Sequence, residues 1–331
     1  MKRVSPPLLA GMAVCLAAVL ALGKWGPLGE FMQAVRWTAG QTEAHPGRSA
    51  ADALCERIAQ AAPAQRIEPA NAKIDRVWKA IPGYDGREAD VEATCARARQ
   101  LGLDLRDTAA IPWVYRPLKP EIRLEDLPPS PIYRGNPAKP MAAIMINVAW
   151  GDEHLAEMLN TLEEENVQAT FFLDGTWLSK HTETAKDILR RGHELSNHAW
   201  SHPMMSRLSP ARQREEIAKT EALLRELGVD NRWFAPPSGD YDDRTVRVAH
   251  ELGLRTVLWT LDTVDWKNPP ADAIVQKISR QVGPGHLILM HPTASAKRAL
   301  PGILQAIRAK GLTPGTVSRT LSSERIEQLA S

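Results

Sequence analysis

Beyond Pro140 the sequence alternates short apolar runs with amphipathic stretches, and this alternation constrains the fold more than any other feature. Residues 142–149 are mostly apolar, as expected of a strand buried on both faces of a parallel sheet. Residues 152–165 then carry apolar side chains at helical spacing. The pattern repeats. Further strands are predicted at 169–173, at 233–236, at 256–262 and at 286–291, and one more short strand ends at Asn197. Strands that alternate with helices in this way predict an α/β fold whose parallel sheet closes, or nearly closes, into a barrel.

Two helices of this region have clear boundary signals. Ser209 and Pro210 supply an N-cap and a first-turn proline for a long amphipathic helix. A last helix is predicted at 301–310, with Pro301 in its first turn and Gly311 just past its end. The domain with this alternating pattern is expected to begin near residue 140.

Composition excludes several classes of protein. The chain has 331 residues, a formal net charge of +2, 44% hydrophobic and 24% charged residues. These values are ordinary for a folded soluble protein and argue against disorder or a polytopic membrane protein. The near-neutral charge gives no basic footprint, so no nucleic-acid partner is expected.

The three cysteines carry little information about function. Cys15 lies in an apolar N-terminal run, and Cys55 and Cys95 could pair but belong to no CxxC motif or Cys/His cluster. Isolated thiols are the favoured interpretation. No cysteine ligand or nucleophile is predicted.

The N-terminal region has a different organisation. Two basic residues precede an uncharged apolar run, which predicts a secretory signal peptide or signal anchor over residues 1–23, with a possible membrane tether through 6–23. The protein is therefore expected to be exported, and to be extracellular or anchored on the outer face of the membrane. A spacer at 24–68, a small module at 69–116 and a Pro-rich linker at 117–140 follow. The linker has seven prolines, which favour an extended, semi-rigid backbone.

Polar residues cluster where the predicted strands end, and eight of the nine histidines lie after residue 150. Functional residues of such barrels lie at the carboxyl ends of the strands. His198 and His202 are four apart, so on one helical turn both imidazoles could share a metal, although such pairs are also common as solvated or packed residues. Asp262 and Asp265 follow another predicted strand, and a buried carboxylate beside His291 could orient that ring and favour its role as a proton donor, or form a structural pair with it.

Five segments in order carry a family resemblance: ATFFLDG, GHELSNHAWSHP, WFAPPSG, LWTLDTVDW and LILMHP. They resemble the NodB homology domain of polysaccharide deacetylases, carbohydrate esterase family four, over about residues 141–325. INVAWGDE and the upstream IDRVWKAIPGYDG resemble the sporulation-type subgroup of Gram-positive bacteria. The resemblance implies a distorted (β/α) barrel and removal of acetyl groups from chitin-like, peptidoglycan or xylan polymers, with a divalent metal that is zinc or cobalt-like.

The resemblance also implies roles for single residues. The metal ligands fall on His198 and His202, and the catalytic acid falls on His291 with Asp265 as its acidic partner. The groove for the acetyl methyl group falls on Trp266 and Leu289. The backbone N–H that contacts the oxyanion falls on Ser238. The implied partner is a cell-wall polysaccharide.

The first motif departs from the family. It normally reads Thr-Phe-Asp-Asp-Gly, with a general base followed by a metal ligand, but here Ala149 and Trp150 stand at these positions. Ala235 replaces the Arg that orients the base. Asp152 is the nearest replacement carboxylate and is predicted to be catalytic, with a helix N-cap as its alternative role. Two further carboxylates are also options: Glu153 and Asp240.

Two functions remain open from the sequence. The first is a metal-dependent deacetylase of cell-wall glycan, a hydrolase of non-peptide carbon–nitrogen bonds with reduced or altered activity. The second is a catalytically degenerate protein of the same fold that binds glycan or scaffolds wall or spore assembly. The retained histidines favour the first, and the missing Asp pair and Arg favour the second. Another barrel hydrolase acting on a different amide has no positive signal.

Overall fold

The computed structural model describes residues 50–103 and 111–326. These residues fall into two compact units, one of 50–61 with 91–114 and one of 62–90 with 115 onward, excluding the segment 104–110. The grouping differs from the predicted module at 69–116. The predicted signal segment 1–23 and most of the predicted spacer lie outside the described residues. None of the described helices is long and apolar enough to cross a membrane.

The smaller unit pairs helix α1 (Ala50–Ala61) with helix α2 (Val91–Gln100). Their buried faces meet through Leu54, Ile58 and Ala98. The structure corrects the prediction of isolated thiols, because Cys55 and Cys95 form a disulfide across the two helices, with 5.4 Å between their Cα atoms. The sequence alone does not predict this pairing, because the two cysteines are far apart in the chain and only the packing of the helices brings their side chains together.

The larger unit is built on one curled parallel sheet. It begins with two short antiparallel pairs, β1 (Lys73–Asp75) with β2 (Lys79–Ile81) and β3 (Gly86–Ala89) with β4 (Tyr115–Leu118). The strands of the main sheet are β5 (Met141–Val148), β6 (Thr170–Leu173), β7 (Glu194–Asn197), β8 (Trp233–Phe234), β9 (Arg255–Thr256), β10 (Leu261–Asp262), β11 (His286–Met290) and β12 (Thr313–Gly315). Their order is β10-β11-β5-β6-β7-β8-β9, and β12 also pairs with β5. The predicted distorted (β/α) barrel is confirmed as a half-barrel of this kind.

Helices surround this sheet and bury its outer face. They are α3 (Leu155–Glu164), α4 (Gly175–Lys180), α5 (Thr182–Arg190), α6 (Pro210–Glu226), α7 (Asp243–Glu251), α8 (Ala271–Gln281), α9 (Ala294–Ala309) and α10 (Val317–Leu321). The N-cap predicted for α6 is present, because the Ser209 side chain accepts a hydrogen bond from the Arg212 N–H. Every residue of β5 is buried, which explains its near-continuous apolar sequence.

The seam of the half-barrel is bridged by residues 131–135. The Ile132 N–H donates to the Thr256 carbonyl at the end of β9, and the Ile132 carbonyl accepts from Leu258. Three residues later, the Gly135 N–H donates to the Gly285 carbonyl just before β11. The Pro-rich segment therefore contributes to the barrel, with Ile132 fully buried, where the sequence predicts a linker.

Two elements differ from their predicted bounds. The single strand predicted at 256–262 is divided into β9 and β10, which lie at opposite edges of the sheet. The helix predicted at 301–310 is α9, which begins at Ala294 and is capped by Thr293, so Pro301 lies inside it and not in its first turn. Its buried residues Leu300 and Ile303 pack in the core on either side of this proline, so tertiary packing outweighs the cost of an interior Pro.

Candidate functional site

A cavity of about 430 Å³ opens at the carboxyl ends of the strands. Residues from the ends of β5, β7, β10 and β11 and from the loops after β8 and β9 line it: Asn147, Ala149, Trp150, His198, His202, Ser238, Trp259, Asp262, Trp266, Leu289 and His291. This set includes six of the eight predicted site residues. The other two, Asp265 and Asp152, do not line the cavity.

His198 is held rigidly at the end of β7. Its side chain is 1% exposed, and its Nδ1 lies 2.7 Å from the Ala235 carbonyl oxygen. Because a carbonyl can only accept, Nδ1 carries the proton and Nε2 keeps its lone pair. Burial lowers the pKa of His198 to about 3, with a further contribution from neighbouring His202.

His202 lies edge-on to His198, with 5.1 Å between the ring centroids. Burial also lowers the pKa of His202. Its backbone has a φ of 56°, in the left-handed region that non-glycine residues seldom adopt. The two rings therefore form a fixed, neutral pair at the cavity wall.

This pair fits a metal ion poorly. Among the described residues, no group of three or more His, Cys, Asp or Glu side chains is arranged to hold a metal. Protein zinc sites normally use three or four such ligands. Trp150 stands where the family places the carboxylate ligand, so the donor set is reduced to two imidazoles.

His291 and Asp265 form the predicted dyad. The Asp265 carboxylate is fully buried and lies 2.9 Å from His291 Nδ1, and it also accepts the His291 backbone N–H at 2.8 Å. A third hydrogen bond, from the Thr263 hydroxyl at 2.7 Å, fixes the carboxylate. The dyad therefore orients the ring of His291, which lines the cavity, through Nδ1 and leaves Nε2 as the ring nitrogen that can exchange a proton with a ligand.

The residues implied as substrate contacts also lie at the cavity. Trp266 is 51% exposed and presents an indole face, while Leu289 is buried in the wall. Ser238 has a φ of 55°, and Val264, next to Asp265, has a φ of 56°. A left-handed conformation costs most for a β-branched residue, and such strain concentrates at functional sites. Strained backbone therefore lies at Ser238 in the cavity wall and at Val264 beside the dyad.

Trp150 occupies the rim at the position of the missing metal ligand. Its indole is 47% exposed and stacks on His291, with the planes 7° apart and the ring centroids separated by 6.0 Å. The next residue, Gly151, has a φ of 81°, and a Cβ there would lie 2.0 Å from the Pro292 carbonyl oxygen. The loop therefore packs closely on the segment that carries His291.

The replacement carboxylates suggested by the sequence lie away from the cavity. Asp152 belongs to the turn before α3 and lines a separate depression beside Asp187. Glu153 Oε1 lies 3.7 Å from His154 Nε2. Asp240 accepts hydrogen bonds from the backbone N–H and the hydroxyl of Ser206. A catalytic role of Asp152 stays a prediction that the cavity geometry does not support.

Three cavity residues have no role in the sequence-based assignment: Asn147, Trp259 and Asp262. Asp262 carries one hydrogen bond at Oδ1, from the Val264 N–H at 2.7 Å, and Trp259 adds a further aromatic wall. Asn147 and Asp262 were recognisable as polar residues at strand ends. Nothing in the local sequence distinguishes them from polar residues that face solvent.

Comparison with known proteins identifies the family. The profile of the family described as polysaccharide deacetylase matches residues 134–257. A crystal structure of a CE4 family pseudoenzyme from Bacillus anthracis is 39% identical, covers 82% of this chain and 96% of that chain, and superposes with a TM-score of 0.76. The chain belongs to the polysaccharide deacetylase family.

Two sequence relatives add to this comparison. An uncharacterised Bacillus subtilis protein, YlxY, is 41% identical over 83% of this chain and 85% of its own length. A peptidoglycan-N-acetylglucosamine deacetylase from Bacillus cereus is 34% identical over 48% of this chain and 60% of its own length. The predicted polysaccharide deacetylase resemblance is thus confirmed, and the sporulation-type subgroup stays a prediction.

Proposed function

We propose that this chain binds acetylated cell-wall glycan in the cavity at the strand ends and hydrolyses its acetyl groups slowly or not at all. One observation carries the proposal. Ala149 and Trp150 line the cavity at the two positions where the polysaccharide deacetylase family uses a general base and a metal ligand. The cavity, the aromatic faces and the His291–Asp265 dyad are all present, whereas the groups that activate water are replaced.

The replacement of the general base and the metal ligand determines how far the rate of acetyl hydrolysis is expected to fall. General-base assistance typically contributes about 10²–10⁴-fold to a hydrolytic rate. The two remaining imidazoles, His198 and His202, also make a weak site for the zinc or cobalt-like ion implied by the family. Binding of such a metal stays a prediction, and we expect low affinity.

Recognition of a sugar is supported by the cavity wall. Indole faces pack well against the apolar faces of sugar rings, and three tryptophans line the cavity: Trp150, Trp259 and Trp266. The deacetylase from Bacillus cereus that is similar to this chain is named for peptidoglycan N-acetylglucosamine. Peptidoglycan is therefore the polymer to test first, with chitin-like oligomers as its soluble mimic.

A binding assay paired with an acetate assay tests the proposal. We expect calorimetry to detect binding of the N-acetylglucosamine tetramer by the purified chain, with no acetate release above the protein-free rate. His291→Ala serves as the control for any release that is seen. Release at a rate typical of the family, lost in His291→Ala, would show an active deacetylase and contradict the proposal. Absence of binding to both the tetramer and peptidoglycan would also contradict it.

Restoring the two carboxylates tests the reason for the lost rate. We expect the double variant Ala149→Asp/Trp150→Asp to bind zinc more tightly than the wild type and to release acetate. A mutant of the Bacillus anthracis pseudoenzyme with restored enzymatic activity, 38% identical to this chain, supports this design. Asp152→Asn in the wild-type background is the matched control, because it removes the predicted replacement carboxylate. If Asp152→Asn alone abolished a wild-type activity, the turn before α3 would have to supply the base.

We also propose that the chain is exported and acts outside the cell membrane, with residues 6–23 as a possible tether. The basic and apolar pattern of residues 1–23 supports export, and so does the disulfide Cys55–Cys95, because disulfides persist in oxidising compartments. Protease added to intact cells should degrade the chain. Protection that is lost only after lysis would contradict export.

A further inference from the structure

Asn147 is a buried polar residue at the rim of the cavity. Its side chain is 3% exposed and lines the cavity. Its Oδ1 accepts no hydrogen bond, and no described residue is hydrogen bonded to its amide.

A buried asparagine two strands away shows how this residue type is normally satisfied. Asn197, at the end of β7, donates to the Ile217 carbonyl and the Glu221 carboxylate, and its Oδ1 accepts from the Ala199 N–H. Burial of a polar group without such partners costs stability, so an unpaired buried amide requires an explanation. A ligand that supplies the missing partner is one.

The position of Asn147 is that of a ligand contact. In the paired strands β5 and β11, Ile146 faces Met290, so Asn147 and His291 occupy the next positions of adjacent strands at the rim. Both side chains line the cavity together with Ala149 and Leu289. An unpaired amide beside small apolar surface matches an acetamido group, which has one N–H, one carbonyl and one methyl.

We infer that Asn147 recognises the acetamido group of a bound N-acetylhexosamine, as a specificity-determining contact. This inference rests on the proposed glycan-binding function. Oδ1 of Asn147 accepts the acetamido N–H, or Nδ2 donates to the acetamido carbonyl. The side chain is neutral and takes no proton, so it holds the amide without activating water against it.

The test uses variants of matched shape and two neutral tetramers. Asn147→Leu removes both polar atoms of the amide and keeps the number and branching of the side-chain heavy atoms. We expect the wild type to bind the N-acetylglucosamine tetramer at least tenfold more tightly than cellotetraose, which lacks the acetamido group. In Asn147→Leu the affinity for the first falls at least tenfold, while the affinity for cellotetraose is unchanged, both measured by calorimetry.

Thermal unfolding separates recognition from a structural role. We expect Asn147→Leu to keep or raise the unfolding temperature, because no protein partner is lost. The matched control Asn197→Leu should lower it, because three hydrogen bonds are lost. A lowered unfolding temperature in Asn147→Leu, with both affinities reduced alike, would assign Asn147 a structural role and overturn the inference.

The remaining outcomes distinguish this inference from the proposed function. Unchanged affinity of Asn147→Leu for the N-acetylglucosamine tetramer would overturn the role of Asn147 and leave glycan binding intact. Equal affinity of the wild type for the two tetramers would do the same, because the acetamido group would then not be recognised. If the wild type bound neither tetramer, the proposed function would fail first.

Discussion

His193 predicts a loss of stability in mild acid. The residue precedes β7, is 5% exposed, and packs against Phe171 with 5.3 Å between ring centroids. The Ala169 N–H donates to its Nδ1 at 3.2 Å. Protonation at Nδ1 would remove this acceptor, and burial, with a contribution from Arg191, lowers the pKa of His193 to about 4.

The sign and size follow from proton linkage. The unfolded chain binds a proton at His193 near its ordinary pKa of about 6.5, whereas the folded chain does so only near 4. The contribution is therefore fully present above pH 6.5 or so and is lost as the pH falls toward the folded value. Between pH 7.5 and 5.0 this one group should lower the free energy of unfolding by about 2 kcal/mol.

Urea unfolding of the wild type and of His193→Gln at both pH values measures this term. The glutamine oxygen can accept from Ala169, so the variant keeps the acceptor without the titration. The difference at pH 7.5 gives the cost of repacking, and the further change at pH 5.0 gives the linkage. If the wild type and His193→Gln lost the same free energy between the two pH values, the argument from burial would be wrong.

Three other changes have defined outcomes. Lys139 is fully buried and donates to the carbonyls of Arg319 and Ser322. Lys139→Met should therefore lower the free energy of unfolding in urea by about 2–3 kcal/mol. An unchanged urea midpoint of unfolding would refute this. Cys55→Ser removes a cross-link over a sequence separation of 40 and should cost the smaller unit about 4 kcal/mol, seen by calorimetry as a lower unfolding temperature that reductant does not lower further. Pro301→Ala restores a backbone donor inside α9 and should raise stability by up to about 3 kcal/mol, whereas a lower unfolding temperature would contradict it.

The elements that the sequence predicts well are those specified by local burial. β5 and β6 are buried along their whole length, so their apolar runs identify them without knowledge of their neighbours. The sequence of residues 256–262 also predicts a single strand, but these residues do not form one. The Val257 N–H bonds to Phe234 on one side of the sheet, and the Thr260 N–H bonds to Leu287 on the other. Which partner a backbone group finds is a long-range property that periodicity does not contain.

The same limit applies to the candidate site. The motif spacing brought His198, His202, Asp265 and His291 to one rim because each follows a strand of a parallel sheet. Whether a buried polar side chain finds a partner depends on contacts across the fold. For this reason the sequence marks Asn147 only as a polar residue near a strand end, and it does not reveal the pairing of Cys55 with Cys95.

The bridge formed by residues 131–135 decides where this chain can be cut. A fragment starting at residue 141, the boundary that the sequence suggests, would lose Ile132 and expose the Thr256 carbonyl and the Leu258 N–H that it satisfies. Unpaired strand edges of this kind recruit strands from other molecules and promote aggregation. Expression of the barrel should therefore begin ahead of residue 131, because the segment that bridges the two sides of the main sheet is synthesised before β5, the first strand of that sheet.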